Sequence, residues 1–124
     1  SYHFPKIVAF DHMVAAAQLL VGTYDFTGFT ASGATVEDKV RTITQADVVR
    51  SGTDEILFIF SGNGFLYKQV RNMVGTLVKI GAGKWPVTRV SEILVAQNRD
   101  LAGPTAPAHG LCLMEVRYDD EINA

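Results

Sequence analysis

Arg71 is the residue whose surroundings in the sequence raise the clearest chemical question. The segment around it, GFLYKQVRNMVGTLVKIGAGK at residues 64–84, repeats apolar residues at three- and four-residue spacing, as an amphipathic helix does. The predicted apolar stripe consists of Tyr67, Val70, Val74, Leu77 and Val78. The solvent side then carries Lys68, Asn72 and Lys79. Arg71 falls at the edge of the stripe, where a guanidinium group must either reach water along its own stem or pair with an anion.

An anionic partner would explain why an arginine occupies this position. The planar guanidinium group binds a carboxylate or phosphate through two parallel hydrogen bonds, a geometry that lysine cannot reproduce. Within this chain, Asp25 in the segment YDF is the candidate partner. The residues alone leave two interpretations open: a boundary arginine that covers apolar surface, or an arginine held in place to bind an anion.

Two other motifs could carry chemistry, but their residues argue against it. GAGK at residues 81–84 lacks the glycine that a phosphate-binding loop needs at position 78, and Trp85 stands where serine or threonine should follow. We interpret GAGK as the C-terminal end of a helix. His109 and Cys112 are three residues apart, but a structural zinc site needs four ligands and the chain has only three histidines and one cysteine. The sequence predicts no metal site, and Cys112 is interpreted as a small core residue.

Length, composition and charge favour a single folded domain. The chain has 124 residues, of which 48% are hydrophobic and 19% charged, as in ordinary globular proteins. No apolar run reaches the roughly 18 residues of a membrane-spanning helix, and the single cysteine has no disulfide partner, so we expect a cytoplasmic protein with no membrane partner. The net charge is −2, yet residues 68–99 hold six lysines and arginines against Glu92 alone. That segment is a candidate surface for an anionic partner.

The order of periodic segments predicts an α+β domain, with a mainly antiparallel sheet and helices packed on one face. A first helix is expected at residues 9–22, with Asp11 as its N-cap and Gly22 at its C-terminus. The remaining expected elements are a loop at 24–40, a hairpin of strands at 41–50 and 55–62, the helix around Arg71, a helix opened by Pro86 and Thr88, a loop at 98–110 and a final strand at 111–119.

The second strand and the chain ends complete the predicted organisation. The second strand is apolar from Ile56 to Phe60, so it should be central and covered on both faces. Residues 1–9 are interpreted as an N-terminal arm or linker remnant, 10–118 as the domain, and 119–124 as an acidic tail.

Three stretches together resemble a known family. YDFTGFTASG, GNGFLYKQVRNMVGTLVKIGAGK and RDLAGPTAPAHGLCLMEVRYD, in this order, are similar to the C-terminal half of the tRNA pseudouridine synthase A family, from about residue 10 to residue 118. The resemblance implies an isomerase that converts uridines of the tRNA anticodon stem-loop to pseudouridine, with no organic cofactor and no obligatory metal. It also implies tRNA and the N-terminal half of the same enzyme as partners, and a homodimer.

The resemblance also assigns roles to single residues. In the family a catalytic aspartate attacks while the bond between uracil and ribose is cleaved, and it lies in an arginine-threonine-aspartate-alanine-glycine stretch of the N-terminal half. The present sequence contains no such stretch, so we expect this chain alone to be inactive. Arg71 aligns with the arginine that pairs with the aspartate, and Leu111 aligns with the aliphatic residue of the uracil pocket. Tyr67 and Asn72 lie within the matched helix and are expected to support Arg71.

The remaining expectations concern RNA. The basic segment suits binding of backbone phosphates, and the loop at 99–110 should lie near the substrate. The predicted RNA contacts are Phe65, Lys68, Asn72, Lys84, Arg99 and His109. Two other functions remain open for the same sequence: a non-catalytic RNA-binding module, and a dimerisation or structural domain.

Overall fold

The computed structural model of the protein describes residues 5–31, 36–51, 55–107 and 112–118. Its elements are α1 (Phe10–Gln18), β1 (Gly22–Asp25), β2 (Val40–Ser51), β3 (Glu55–Gly62), α2 (Gln69–Gly81), α3 (Arg89–Ala96) and β4 (Cys112–Tyr118). Short 3-10 turns lie at Thr27–Phe29 and Arg99–Leu101. The predicted helices, the hairpin strands and the final strand are confirmed, and β1 is an additional strand.

The four strands form one sheet in the order β1-β2-β3-β4. β1 pairs with β2 and β2 pairs with β3 in antiparallel fashion, whereas β4 lies parallel to β3. The parallel pair follows from the connection between these strands, which contains α2 and α3 and so returns the chain to the same end of the sheet. The predicted α+β fold with a mainly antiparallel sheet is confirmed.

One face of the sheet carries the hydrophobic core. Ile56, Phe58 and Phe60 alternate along β3 with exposures of 3% or less, and they share one core with buried residues of α1 and α2. Leu57 and Ile59 point to the other face, because side chains alternate along a strand, and both are only half-buried. Val49 on that face is 42% exposed. The prediction that β3 is covered on both faces is therefore wrong.

The boundaries of α1 differ from the prediction. The helix begins at Phe10 with Ala9 as its N-cap, and Asp11 lies in the first turn. No side chain within the described ranges caps the helix. Gly22 does not end the helix but opens β1 with a φ of +138°. β1 has four residues and pairs along its length with β2. Such a short edge strand has too few residues to show a hydrophobic alternation in the sequence, so only its pairing with β2 defines it.

α2 starts two residues later than the apolar repeat suggests. Lys68 precedes it in the left-handed conformation, with a φ of 57°, so Tyr67 does not belong to the helix. The prediction that Tyr67 belongs to the buried stripe is wrong, because the residue is 58% exposed. Val74, Leu77 and Val78 are buried as predicted. The helix ends at Gly81, and Gly83 has a φ of +79°, which confirms GAGK as a helix end.

A second surface of α2 is buried by the chain between α3 and β4. A Cβ atom at Gly75 would lie 1.6 Å from the carbonyl oxygen of Pro104, and one at Gly103 would lie 2.6 Å from the carbonyl oxygen of Gly75. The two backbones are therefore in direct contact. The Gly103 N–H donates to Thr76 Oγ1 at 2.8 Å, and the Ala106 N–H donates to the Arg71 carbonyl at 3.0 Å. This backbone contact fixes residues 103–106 against α2.

Replacing Gly75 with alanine is expected to destabilise the protein by about 2 kcal/mol, since the added methyl group must displace a backbone segment. The loss should occur although alanine is favoured over glycine inside helices by about 1 kcal/mol. Urea unfolding of Gly75→Ala measures it, with Ser91→Ala on the exposed side of α3 as the control. Equal stability of the two variants would contradict the backbone contact.

Candidate functional site

Arg71 is half-buried on α2 and is held by a neutral oxygen. Its Nε donates to the Ala106 carbonyl at 2.7 Å, next to the bond that the Ala106 N–H makes to the Arg71 carbonyl. Its two terminal amino groups make no hydrogen bond to the part of the chain that the structure describes, where the ion pairs are Arg89–Glu92 and Glu115–Arg117. The predicted position at the edge of the apolar stripe is confirmed, and the described chain gives Arg71 no anion.

Asp25 is not the partner of Arg71. One oxygen of its carboxylate accepts hydrogen bonds from the Thr27 N–H, at 2.9 Å, and from the Thr27 hydroxyl. This arrangement closes the turn that follows β1, so the carboxylate is used locally. The suggestion that Asp25 compensates Arg71 within this chain is wrong.

Asn72 is fully buried, with an exposure of 0%. Its Nδ2 donates to the Phe29 carbonyl at 2.7 Å, and its Oδ1 accepts hydrogen bonds from the Thr105 hydroxyl and from Arg99 Nη2. A buried amide needs such partners, because an unpaired one would cost free energy. The prediction that Asn72 lies on the solvent side is wrong, since residues 99–105 cover that side. Both ends of the amide contact protein, and its Oδ1 helps to position Arg99.

Arg99 is a second half-buried guanidinium group with neutral partners. Its Nη1 donates to the Gly103 carbonyl at 2.9 Å, and its Nη2 donates to Asn72 Oδ1 at 3.1 Å and to Thr105 Oγ1 at 3.3 Å. None of these acceptors carries a charge. The three bonds fix the orientation of the side chain while its positive charge stays uncompensated within the described residues.

An open cavity of about 560 Å³ lies beside Arg99. We refer to it as the Arg99 cavity; Ala31, Tyr67 and Lys68 line one part of it, and residues of the segment 99–105 line the other. Lys68 Nζ lies 5.4 Å from the centre of the exposed Tyr67 ring. The predicted RNA contacts Lys68 and Arg99 therefore share one opening, and Asp100 lines it as well.

Three basic residues of the segment 68–99 lie toward the far end of α2: Lys79, Lys84 and Arg89. Lys79 Nζ and Arg89 Cζ lie 5.9 Å and 4.1 Å from the centre of the Trp85 ring. Arg89 also donates to the Leu101 carbonyl and pairs with Glu92. Lys84 follows the C-terminal end of the helix, which is about 20 Å long. The structure thus does not bring Lys84 to the Arg99 cavity.

Of the three remaining predicted site residues, one lies in the described part of the chain and two lie outside it. Phe65 is half-buried and packs edge-to-face on Tyr118, with ring centres 5.7 Å apart. His109 and Leu111 lie outside the described residues. Thr105 was not predicted as a site residue, because its partners Asn72 and Arg99 meet it only after the chain has folded.

Two negative findings apply to the described residues. No group of three or more histidine, cysteine, aspartate or glutamate side chains there could hold a metal ion. No helix in the same part of the chain is long and apolar enough to cross a membrane.

Known proteins match this chain over most of its length. The sequence model of the family described as tRNA pseudouridine synthase matches residues 16–119, and the chain belongs to this family. It is similar to tRNA pseudouridine synthase A of Lactococcus lactis, with 59% identity over 121 residues, covering 98% of this chain and 48% of the relative. The same enzyme of Streptococcus agalactiae is 58% identical over 120 residues, covering 96% of this chain and 46% of the relative.

The relative from Streptococcus thermophilus gives the same result, with 58% identity over 118 residues, 94% of this chain and 48% of its own length. The chain spans about half the length of the curated relatives it matches, and it corresponds to their C-terminal half. The predicted family resemblance is confirmed.

Replacing Asn72 with alanine is expected to lower the free energy of unfolding by about 2–3 kcal/mol, since the Phe29 carbonyl and the Thr105 hydroxyl lose a buried partner. The control is Asn98→Ala, which removes an exposed side chain whose Oδ1 accepts from the Asp100 N–H and should cost about 1 kcal/mol or less. Urea unfolding compares the two. A loss for Asn72→Ala no larger than that of the control would contradict the buried network.

Proposed function

We propose that this chain is the C-terminal half of a tRNA pseudouridine synthase that isomerises uridines of the anticodon stem-loop. Family membership over residues 16–119 supports the reaction class. The structural observation that carries the proposal is Arg71, a half-buried guanidinium group whose only hydrogen-bond partner among the described residues is the neutral Ala106 carbonyl. This chain supplies the cation, and the anion comes from the other half of the enzyme.

The reaction needs an ionised carboxylate but no external reagent. Uridine and pseudouridine are isomers: the bond from ribose to a ring nitrogen breaks, a bond from ribose to a ring carbon forms, and that carbon loses a proton while the nitrogen gains one. In the family resemblance, an aspartate of the N-terminal half attacks during the first step. A neighbouring guanidinium group lowers the pKa of such a carboxyl group and so keeps it ionised.

The hydrogen bonds of Arg71 define how the aspartate would be held. Since Nε is bound to the Ala106 carbonyl, the plane of the guanidinium group is fixed by the segment that packs on Gly75. The two terminal amino groups then form the edge that donates two parallel hydrogen bonds to a carboxylate. Leu111 is proposed as the aliphatic wall of the uracil pocket. Tyr67 precedes α2 and supports this end of the helix through its backbone, since its carbonyl accepts from the Ala31 N–H at 3.2 Å.

The proposed partners follow from the substrate. The target nucleotide must leave the base stack before its base can be turned over, so part of the bound tRNA is single-stranded in character. We propose that the enzyme acts in the cytoplasm as a homodimer in which each N-terminal half meets a copy of the present chain. No cofactor or metal takes part in the proposed reaction.

Arg71→Ala in the full-length enzyme is expected to lower kcat about 100-fold or more, because a group oriented for the transition state is lost. The Kd for tRNA should change by no more than about threefold, since the proposed partner is a side chain and not a phosphate. Arg71→Lys retains the charge without the two-pronged geometry and should also be slow. Steady-state kinetics at saturating tRNA measures the change in kcat, and equilibrium binding measures the change in Kd. A parallel loss of affinity and turnover would indicate phosphate binding instead.

Complementation tests the division into halves. This chain is mixed with a separately expressed N-terminal half that carries the aspartate stretch, and pseudouridine is measured in an anticodon stem-loop transcript. Activity is expected only in the mixture, and Arg71→Ala in this chain should abolish it. Turnover by this chain alone at the rate of a full-length relative would overturn the proposal. Absence of turnover with both halves folded and associated would favour a non-catalytic RNA-binding module.

A further inference from the structure

We propose that the Arg99 cavity binds one nucleotide of a single RNA strand, with its phosphodiester between Lys68 and Arg99 and its base on the Tyr67 ring. This site is additional to the aspartate-binding edge of Arg71. It rests on the proposed function only for RNA as the class of ligand. The argument uses charge, the exposed ring and the size of the opening.

The two cations that line the cavity have no anionic partner among the described residues. Arg99 donates to the oxygens of Gly103, Asn72 and Thr105, which are all neutral. Lys68 contacts the Tyr67 ring, and no ion pair in the described chain includes either residue. These two cations and the single acid Asp100 leave the opening with a net positive charge. Such an opening attracts an anion, and RNA offers a phosphate at every nucleotide.

The rigidity of Arg99 distinguishes it from an ordinary surface arginine. Asn72 accepts one hydrogen bond from Arg99 and is itself fully buried, with its Nδ2 donating to the Phe29 carbonyl. The Gly103 carbonyl, which accepts another, belongs to the segment in backbone contact with α2. A side chain fixed in this way loses little further freedom when it binds an anion, so more of the interaction remains as affinity.

Tyr67 supplies an aromatic surface beside these charges. The residue is 58% exposed, although its backbone is held by the bond between its carbonyl and the Ala31 N–H. Aromatic side chains bordered by cations are the usual platform for the bases of single-stranded nucleic acid. The cavity volume of about 560 Å³ lies within the range of about 300–1,000 Å³ that small-ligand sites occupy. The volume therefore leaves room for a single nucleotide.

Asp100 allows a test in which removing a charge from the same cavity should strengthen RNA binding instead of weakening it. Asp100 is exposed and lines the opening, and it makes no ion pair with either cation. Its N–H, and not its side chain, takes part in the hydrogen bond to Asn98. A bound phosphate would be repelled by this carboxylate. Neutralising it should strengthen binding without removing a structural contact.

The experiment measures equilibrium binding of a tRNA transcript to the full-length enzyme over a range of salt concentrations. Lys68→Gln should weaken binding and lower the slope of log K against log salt by about 0.7–0.9, the effect of one lost phosphate contact. Asp100→Asn should strengthen binding. Tyr67→Leu should weaken it about fivefold or more through lost stacking, and Tyr67→Phe should restore it.

Lys6→Gln is the matched control for the lost charge. Lys6 is exposed, and the adjoining chain is bound to the opposite end of α2, where the Val8 N–H donates to the Gly81 carbonyl at 2.9 Å. The proposed site is overturned if Lys68→Gln behaves like this control, or if Lys68→Gln and Asp100→Asn shift the affinity in the same direction.

Pseudouridine formation by the same unmodified enzyme separates the two proposals. If the enzyme forms pseudouridine while the Lys68 and Asp100 variants fail to show opposite effects, the cavity proposal falls and the proposed function stands. If binding follows the expected signs but no pseudouridine forms, the proposed function falls and the RNA site stands.

Discussion

The contact between the backbone of α2 at Gly75 and the segment 103–106 is the constraint on which the site depends. It brings a loop that is distant in sequence within hydrogen-bonding distance of one side of the helix. Arg71 is then bound on its Nε side by Ala106, and Asn72 is covered and bound by Thr105. Without this approach Arg71 would lose its bond to the Ala106 carbonyl, and Asn72 would keep its bond to the Phe29 carbonyl but lose its bond from Thr105.

The hydrogen bonds of Arg71 and Arg99 hold their side chains in place without neutralising their charges. Arg71 and Arg99 both use part of their hydrogen-bonding capacity on neutral oxygens, which fixes the planes of their guanidinium groups. Neither receives a carboxylate from the described residues. The positive charge of each side chain therefore remains available to attract an anion from outside this chain. In the proposals made above, that anion is the aspartate of the other half at Arg71 and an RNA phosphate at Arg99. One loop thus serves both the proposed chemical site and the proposed substrate contact.

Much of the fold could be predicted from the sequence, because its signals are local. The alternation in β2, the apolar run of β3 and the helical period of α2 each lie within one segment. The faces of α2 could be predicted only in part, since Val74 and Leu77 meet the sheet core whereas Asn72 meets a loop 27 residues or more away. The strand β1 could not be predicted for a similar reason, because only its pairing with β2 defines it. Arg71 was identifiable because a cation beside an apolar stripe is a local anomaly, whereas Thr105 carries no such anomaly.

The contact at Gly75 also has a consequence in genetic terms. A clash between two side chains can be relieved by shrinking either one, so loss-of-function changes of that kind have second-site suppressors. At Gly75 the opposing atom is the carbonyl oxygen of Pro104, which every amino acid at that position would also present. Selection for restored function from a Gly75 variant should therefore yield reversion to glycine, or insertions and deletions that move the segment, and not compensating substitutions at position 104.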